Sequence, residues 1–217
     1  GLHDQTGSEM SSKTIPKADD FERVGNFVRA DGRTMVIEYS DLPDAMATAR
    51  TADGSRRFDA GSIAIHVLRR SFIERLTANP DHFALPWHRA EKKVACVNAD
   101  GQRIVPDSPN AVKLEAFIFD AIPLAEKPLI LQTSRAEEFS PVKNATGVDS
   151  AETSRRDMNR RAAAWLAACG VAVPKRPDGE PDATLEISPL FAQDAAHLGQ
   201  VLTVRPTIKP SDSVYLE

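Results

Sequence analysis

The distribution of apolar and polar residues predicts two antiparallel hairpins in the first half of the chain. Two β-prone runs, residues 24–30 and 33–39, are separated by the dipeptide Asp31-Gly32. Asp-Gly between such runs is typical of a two-residue turn that joins neighbouring antiparallel strands. A second dipeptide of this kind, Asp100-Gly101, lies between residues 94–98 and 103–105. Hairpins of this type are expected beside a main sheet or in a lid.

Apolar residues that recur near the 3.6-residue helical period predict helices. One helix is expected to begin near Ser62 and to end at Asn79-Pro80, with an apolar stripe formed by Ile63, Val67, Leu68, Phe72, Ile73 and Leu76. Another is expected over residues 113–122, with one apolar face formed by Leu114, Phe117, Ile118 and Ile122. On that helix Phe119 points about 200° away from Phe117, so the two rings are not expected to face one cavity equally.

The second half of the chain combines a predicted strand, a predicted helix and a tail. Residues 128–133 are typical of a buried strand, and they lead into a charged loop, residues 135–146. Asp149 and Glu152 match a capping box at the start of a helix that ends before Gly170. Its expected apolar stripe consists of Met158, Ala162, Trp165, Leu166 and Cys169.

The tail is expected to form a separate small domain. Residues 173–182 have the prolines and charges of a linker or exposed loop, and three short strands are expected after it, at 184–190, 201–205 and 213–216. We therefore expect an α/β fold with two domains, residues 1–170 and a small β-rich appendage at 171–217.

Composition and charge restrict the class of protein. The chain has 217 residues, 41% of them hydrophobic and 27% charged, with a net charge of -4. This balance gives no overall attraction to nucleic acid or to anionic membranes, and no apolar run long enough to span a membrane is present. The two cysteines, Cys96 and Cys169, are expected to be reduced thiols in a cytoplasmic protein. The first residue is not methionine, so the chain is expected to begin inside a larger protein.

Four segments carry residues suited to ligand binding, and each also has a plain structural explanation. Glu38 ends a strand, where it can accept hydrogen bonds from ligand hydroxyls or simply face solvent. Ser62 lies after Gly61 at an expected helix start, where free backbone N–H groups favour a polar ligand, as at any helix start. Phe119 can line a cavity or belong to the core. Lys143 follows Pro141 in a loop, where its ammonium suits phosphate oxygens or is only solvated.

Together these segments resemble the UDP-N-acetylglucosamine and UDP-N-acetylgalactosamine pyrophosphorylases, which belong to the wider UTP–sugar-1-phosphate uridylyltransferase family. Five blocks in the same order carry the resemblance, which extends over residues 7–192. Residues 24–28 with 36–41 resemble "VGxVV…VVEYSE", 58–66 resemble "FNAGNIANH", 106–120 resemble "KPxxPNGIKLEKFVFD", 137–145 resemble "EDEFSPLKNA" and 184–190 resemble "CEISPL".

The resemblance implies part of a Rossmann-like nucleotide-sugar transferase domain and an enzyme that transfers a uridylyl group. In this family, UTP and a hexose 1-phosphate give UDP-sugar and pyrophosphate with Mg²⁺, and the substrates are the partners implied here. By resemblance, Lys143 reaches the phosphates, and Glu38 binds the sugar hydroxyls. Gly25 lets the backbone approach the sugar, and Phe117 and Phe119 line the pocket around the 2-substituent.

The chain also departs from the family pattern. Asp59, Ser62 and Ile65 replace three asparagines of the second block, and the asparagine matched by Ser62 contacts the sugar in the family. The N-acetylated substrate is therefore in question, and glucose 1-phosphate is an alternative. The glycine-rich nucleotide loop is absent, and the Mg²⁺ ligands are expected upstream of Gly1. We accordingly expect the isolated chain to be inactive, and a non-catalytic sugar-nucleotide-binding or regulatory module is the alternative function.

Overall fold

A computed structural model of the protein describes residues 1–79 and 85–217. In this part of the chain, residues 1–133 form one compact unit and residues 134–217 form another. The strands are β1 (Met10–Pro16), β2 (Asn26–Ala30), β3 (Arg33–Ile37), β4 (Ala60–Leu68), β5 (His88–Lys92), β6 (Cys96–Val97), β7 (Arg103–Ile104), β8 (Ala111–Glu115), β9 (Leu129–Gln132), β10 (Ala183–Ile187) and β11 (Asp212–Leu216). The helices are α1 (Leu2–Gln5), α2 (Asp44–Ala47), α3 (Arg70–Thr77), α4 (Arg135–Glu138), α5 (Ala151–Ala168) and α6 (Ala195–Val201), and a 3-10 segment covers Ile118–Leu124. The α/β fold class is confirmed.

A five-stranded mixed sheet in the order β3-β2-β4-β1-β9 organises the first unit. Strand β1 runs antiparallel to β4 and parallel to β9. Ile15 of β1 is fully buried. The polar residues Ser12 and Thr14 are also buried, and their hydroxyls bond to His66 Nδ1 and to the Gly61 carbonyl, each at 2.8 Å. Sequence analysis does not predict β1, because an apolar repeat does not count hydroxyl residues that are buried with hydrogen-bond partners.

Both predicted hairpins are confirmed. Strands β2 and β3 pair antiparallel up to Ala30 and Arg33. The two residues between them, Asp31 and Gly32, have φ angles of 50° and 77°, which is the positive-φ pair that a type I′ turn requires. Strands β6 and β7 form the second hairpin around Gly101, whose φ is 78°.

The helix predicted from Ser62 onward is wrong over its first half. Residues Ala60–Leu68 form strand β4, and only Arg70–Thr77 are helical. The β-branched residues Ile63, Ile65 and Val67 alternate along β4, a pattern that suits a strand once β1 is available as a partner. The predicted end of the helix at Pro80 lies outside the described residues.

Strand β4 contains a bulge opposite β1. Ser12 pairs with His66 and Thr14 pairs with Ser62, so residues 63–65 face a single residue of β1. Ala64, at the middle of the bulge, has a φ of 57°, which is the left-handed region that a Cβ disfavours. The bulge therefore stores backbone strain in the strand that carries Ser62.

We expect Ala64→Gly to raise the free energy of unfolding by about 0.5–1 kcal/mol. The left-handed conformation costs alanine about 1–2 kcal/mol and costs glycine little, and the greater unfolded-state entropy of glycine offsets part of the gain. Urea unfolding followed by circular dichroism measures the change. The matched control is Ala163→Gly inside α5, which should lower the same quantity by about 1 kcal/mol. A loss of stability in Ala64→Gly would contradict the strained bulge.

The helix predicted over residues 113–122 is also wrong. The segment begins in strand β8, which pairs antiparallel with β5, and continues into the 3-10 segment. Phe117 itself is extended, with φ -113° and ψ 136°. The strand partner lies about 19 to 27 residues upstream, and for this reason the local apolar repeat does not reveal it.

The second unit is built on α5, which is close to the predicted helix. The capping box uses Ser150 and Thr153, one residue later than the predicted pair, because Asp149 adopts a positive φ of 55° that lies outside the helix. Gly170 follows the helix with a φ of 76°, as the sequence predicts. The buried side chains of Ala162, Trp165 and Leu166 confirm most of the predicted stripe, whereas Met158 is exposed.

The tail packs on this helix. Strands β10 and β11 are parallel, and their apolar side chains share one core with α5 and α6. The strand predicted at residues 201–205 is absent, because Val201 ends α6 and the residues after it are irregular. The compact units divide between Thr133 and Ser134 rather than at the expected boundary of residue 170, since α5 shares its core with the tail. None of the helices in the two described ranges is long and apolar enough to cross a membrane.

Candidate functional site

Three of the predicted ligand-binding residues meet at one point of the first unit. A Cβ atom added to Gly25 would lie 3.4 Å from Glu38 Oε2 and 3.7 Å from Ser62 Cβ. The Ser62 amide donates a hydrogen bond to the Gly25 carbonyl at 2.7 Å. Gly25, Glu38 and Ser62 are therefore neighbours, although 37 residues separate the first from the last.

The absence of a side chain at Gly25 is a packing requirement. The added Cβ would lie only 2.6 Å from Val36 Cγ1, which is closer than such atoms approach one another. Val36 is buried and its branched side chain has little rotational freedom. The backbone at Gly25 therefore lies close against β3, with Glu38 and Ser62 as its other near neighbours.

Glu38 is positioned by a turn at the end of β3. Its carbonyl accepts hydrogen bonds from the Asp41 amide at 2.9 Å and from the Leu42 amide at 3.1 Å. This turn fixes the backbone that presents the Glu38 carboxylate beside Gly25. The carboxylate has the chemistry to accept hydrogen bonds from the hydroxyls of a ligand.

Ser62 occupies a different local structure from the one predicted. It lies in β4 and not at a helix start, so the prediction of a polar site built on free helical N–H groups there is wrong. Of the other two departures from the asparagine pattern, Asp59 accepts a hydrogen bond from Arg56 at 3.3 Å, and the side chain of Ile65 is exposed. Ser62 is the departure that borders Gly25.

A buried lysine stabilises the segment that contains Gly25 through hydrogen bonds. Lys17 is 4% exposed, and its ammonium donates hydrogen bonds to the Asp20 carbonyl at 3.0 Å and to Asn26 Oδ1 at 3.1 Å. Asn26 in turn donates to the Val24 carbonyl at 3.2 Å. Burial lowers the pKa of the Lys17 ammonium. Sequence reasoning missed this pair, because nothing in the local pattern distinguishes a buried lysine from a solvated one.

Phe117 and Phe119 lie against each other. Their ring centroids are 4.8 Å apart and the ring planes differ by 14°. The prediction that they point in opposite directions is wrong, because it assumed helical spacing where the backbone is extended at Phe117 and then enters a 3-10 turn. Phe119 is buried and belongs to the core of the first unit, and Phe117 is partly buried against the same core.

His88 joins this aromatic pair, and sequence reasoning missed it. Its ring centroid lies 4.8 Å from that of Phe117 and 6.1 Å from that of Phe119. Its Nε2 is 2.8 Å from Asp120 Oδ2, and its Nδ1 is 3.7 Å from Asp41 Oδ2. The residues concerned are far apart along the chain, so a search for histidine spacing in the sequence could not find this cluster.

Lys143, the predicted catalytic residue, belongs to the second unit. Its amide donates to the Asp149 carbonyl at 2.6 Å, and the neighbouring Asn144 donates its side-chain amide to the Val148 carbonyl at 2.7 Å. The ammonium lies 4.0 Å from Asp149 Oδ2 and 5.9 Å from the centroid of the Phe139 ring. The lysine thus extends from a loop that hydrogen bonds close, and its role toward phosphate stays a prediction.

The described ranges do not contain a group of three or more His, Cys, Asp or Glu side chains that could hold a metal ion. The described residues therefore do not fit a Mg²⁺ site by themselves. Both cysteines carry free thiols.

Several known proteins resemble the chain in sequence. No protein-family model matches the chain. The chain is 39% identical over 161 residues to a Caenorhabditis elegans protein assigned as a UDP-N-acetylglucosamine pyrophosphorylase, covering 73% of the chain and 33% of that protein. It is 34% identical over 218 residues to the human UDP-N-acetylhexosamine pyrophosphorylase-like protein 1, covering 94% of the chain and 43% of that protein.

A solved structure gives the same result. The crystal structure of an Entamoeba histolytica protein assigned as a UDP-N-acetylglucosamine pyrophosphorylase matches with a TM-score of 0.76 and 30% identity, over 99% of this chain and 50% of the other. The chain thus spans half or less of the length of the proteins it matches. The order of the five blocks, the fold and these similarities together place the chain in the family of UDP-N-acetylhexosamine pyrophosphorylases.

Proposed function

We propose that this chain is the sugar-recognition part of a UTP–sugar-1-phosphate uridylyltransferase. The reaction joins UTP and a hexose 1-phosphate to give UDP-sugar and pyrophosphate. A phosphate oxygen of the sugar 1-phosphate bonds to the α-phosphorus of UTP, and the bond from that phosphorus to the oxygen bridging to the β-phosphate breaks. The juxtaposition of Gly25, Glu38 and Ser62, in a chain of this family, is the observation that carries the proposal.

Each residue in this proposal has a role that its surroundings support. Glu38 accepts hydrogen bonds from the sugar hydroxyls, and the bare backbone at Gly25 lets the sugar approach. Ser62 lies at the same point, with a hydroxyl where its relatives' block has an amide. The Ser62 hydroxyl is shorter than the amide of an asparagine, so the 2-substituent of the sugar determines how well the sugar fits beside Ser62. N-acetylhexosamine 1-phosphates and glucose 1-phosphate are therefore both candidate substrates.

The aromatic pair and Lys143 complete the proposal. Phe117 and Phe119 form a stacked apolar wall in which Phe119 belongs to the core and Phe117 is only partly buried, so Phe117 offers the surface that suits the methyl group of an acetamido substituent. Lys143 provides the cation that stabilises negative charge on the phosphoryl oxygens during transfer. Mg²⁺ is proposed as the cofactor, with ligands from outside the described residues, and it would neutralise phosphate charge when bound. We also propose a cytoplasmic location, since two free thiols suit a reducing compartment.

Release of pyrophosphate by the full-length gene product tests the proposed function. The protein is incubated with UTP and Mg²⁺ together with N-acetylglucosamine 1-phosphate, N-acetylgalactosamine 1-phosphate or glucose 1-phosphate. We expect release with at least one of these sugars and formation of the corresponding UDP-sugar. If no sugar in this panel supports release while the protein is folded, the proposed function is wrong.

We expect Glu38→Gln to lower kcat/KM for the sugar 1-phosphate by about 10- to 100-fold, which corresponds to the loss of hydrogen bonds to a charged acceptor. The KM for UTP should stay within about twofold, because the change affects only the sugar side. Initial rates at varied concentrations of each substrate measure both quantities. The matched control is Glu74→Gln on the exposed face of α3, where Glu74 pairs only with Arg70 among the described ion pairs. An equal loss for both substrates would argue against a sugar-specific role.

A further inference from the structure

His88 lies between the two halves of the proposed sugar site. On one side its ring contacts Phe117 and Phe119, with centroid distances of 4.8 and 6.1 Å. On the other side its Nδ1 faces Asp41, whose amide bonds to the Glu38 carbonyl. The Glu38 turn and the aromatic pair therefore meet at this ring.

The ring is held in a defined orientation. An ionised Asp120 only accepts hydrogen bonds, so the 2.8 Å contact requires that His88 Nε2 carries the hydrogen. Asp120 is itself fixed, because its amide donates to the Phe117 carbonyl at 3.1 Å. The same short turn thus carries both phenylalanines and the carboxylate that orients the histidine.

The pairing of β5 with β8 determines the position of the His88 ring along the strands. His88 is the first residue of β5 and lies opposite Glu115 of β8, two residues before Phe117. From this position the His88 side chain contacts the turn that follows β8. The His88 side chain is 27% exposed, so most of its surface is in contact with these neighbours.

We propose that His88 is a positioning residue that fixes the Phe117–Phe119 wall relative to the Glu38 turn and thereby sets recognition of the sugar. This inference rests on the proposed function and assigns it a residue outside the five resemblance blocks. His88 acts through its neighbours: Asp120 locks the ring, and the ring keeps the two phenylalanines stacked at a fixed distance from the carboxylate that binds hydroxyls.

Three substitutions at His88 separate the two contacts of its ring. His88→Ala removes both contacts and should raise the KM for the sugar 1-phosphate about 10-fold, with the KM for UTP within about twofold. His88→Phe keeps an aromatic ring without the bond to Asp120, and His88→Gln keeps an N–H donor without the ring. Each should restore part of the lost affinity. His197→Ala, a change on α6 in the second unit, is the control and should leave both KM values unchanged.

Asp120→Asn provides an independent check. It should raise the KM for the sugar in the same direction as His88→Ala, and the double variant should be no worse than His88→Ala alone, because both changes release the same ring. The folded fraction of every variant is measured by circular dichroism, and rates are given per folded molecule.

The outcomes distinguish the two hypotheses. If the wild-type protein is active but His88→Ala leaves the sugar KM unchanged, or raises the KM for UTP equally, the positioning role is wrong and the proposed function stands. If the wild-type protein is folded but inactive with every sugar, the proposed function is wrong and this role is refuted with it.

Discussion

Lys143→Ala is expected to lower kcat for uridylyl transfer by about 100- to 1000-fold, the loss typical when one preorganised charge that stabilises a transition state is removed. The Lys143 loop is closed by the Lys143–Asp149 and Asn144–Val148 hydrogen bonds. These bonds restrict the backbone position from which the Lys143 side chain extends. In its proposed role the charge acts on the phosphoryl oxygens during transfer, so the KM values should change less than kcat. Initial rates of pyrophosphate release at saturating substrate measure the effect.

Two comparisons make the Lys143 prediction specific. Lys175→Ala removes an exposed lysine from the same unit and should leave kcat within about twofold, since an isolated surface charge contributes little. Lys143→Arg keeps the charge but changes the shape of the donor, and it should recover only part of the rate. Undiminished activity in Lys143→Ala would refute the role assigned to this lysine.

Gly25→Ala is expected to raise the KM for the sugar 1-phosphate more than 10-fold and to lower the free energy of unfolding by about 1–3 kcal/mol, as overpacking does in a tight site. The new Cβ would lie 2.6 Å from Val36 Cγ1, and Val36 is too stiff to move aside without a change of rotamer. The same methyl group would stand beside the Glu38 carboxylate, where the sugar is expected to approach. Chemical denaturation and substrate kinetics measure the two effects separately.

A second change separates the packing effect of Gly25→Ala from its effect on the ligand. In a Val36→Ala background the nearest clash is removed, so Gly25→Ala should cost much less stability there than in the wild-type protein. The methyl group still faces Glu38 and Ser62, at 3.4 and 3.7 Å, so the KM for the sugar should remain high. Recovery of sugar affinity together with stability would show that Gly25 serves packing alone.

The candidate site could be predicted only in part from the sequence. The resemblance blocks predicted Gly25, Glu38 and Ser62 as site residues, and the structure brings these three together. The sequence misplaced the aromatic pair, because the direction of each ring depends on whether its backbone is helical or extended. It missed His88 altogether, since the contacts of His88 are with residues 41, 117, 119 and 120.

The fold was also predicted only in part, because some of its features depend on adjacent residues and others on residues far along the chain. The turn at Asp31-Gly32 and the end of α5 at Gly170 were predicted correctly, because positive φ angles at these positions depend on a few adjacent residues. The helix–strand choice at residues 60–68 was predicted wrongly, because the deciding partner is β1, about fifty residues away. The buried hydroxyls of β1 look polar in the sequence and become core residues only once their hydrogen-bond partners are in place.

By itself the sequence determined the family, the α/β class, both hairpins and the long helix of the second unit, since these depend on local turn chemistry and on ordered motifs. The tertiary structure decided which apolar segments became strands, and it placed Phe117 against Phe119, and His88 against both. The physical reason is that β4 is stabilised by β1 and that His88 contacts Phe117 and Phe119, and in this protein these partners lie tens of residues apart along the chain. The direction of the two phenylalanine rings depends on whether the backbone between them is helical or extended.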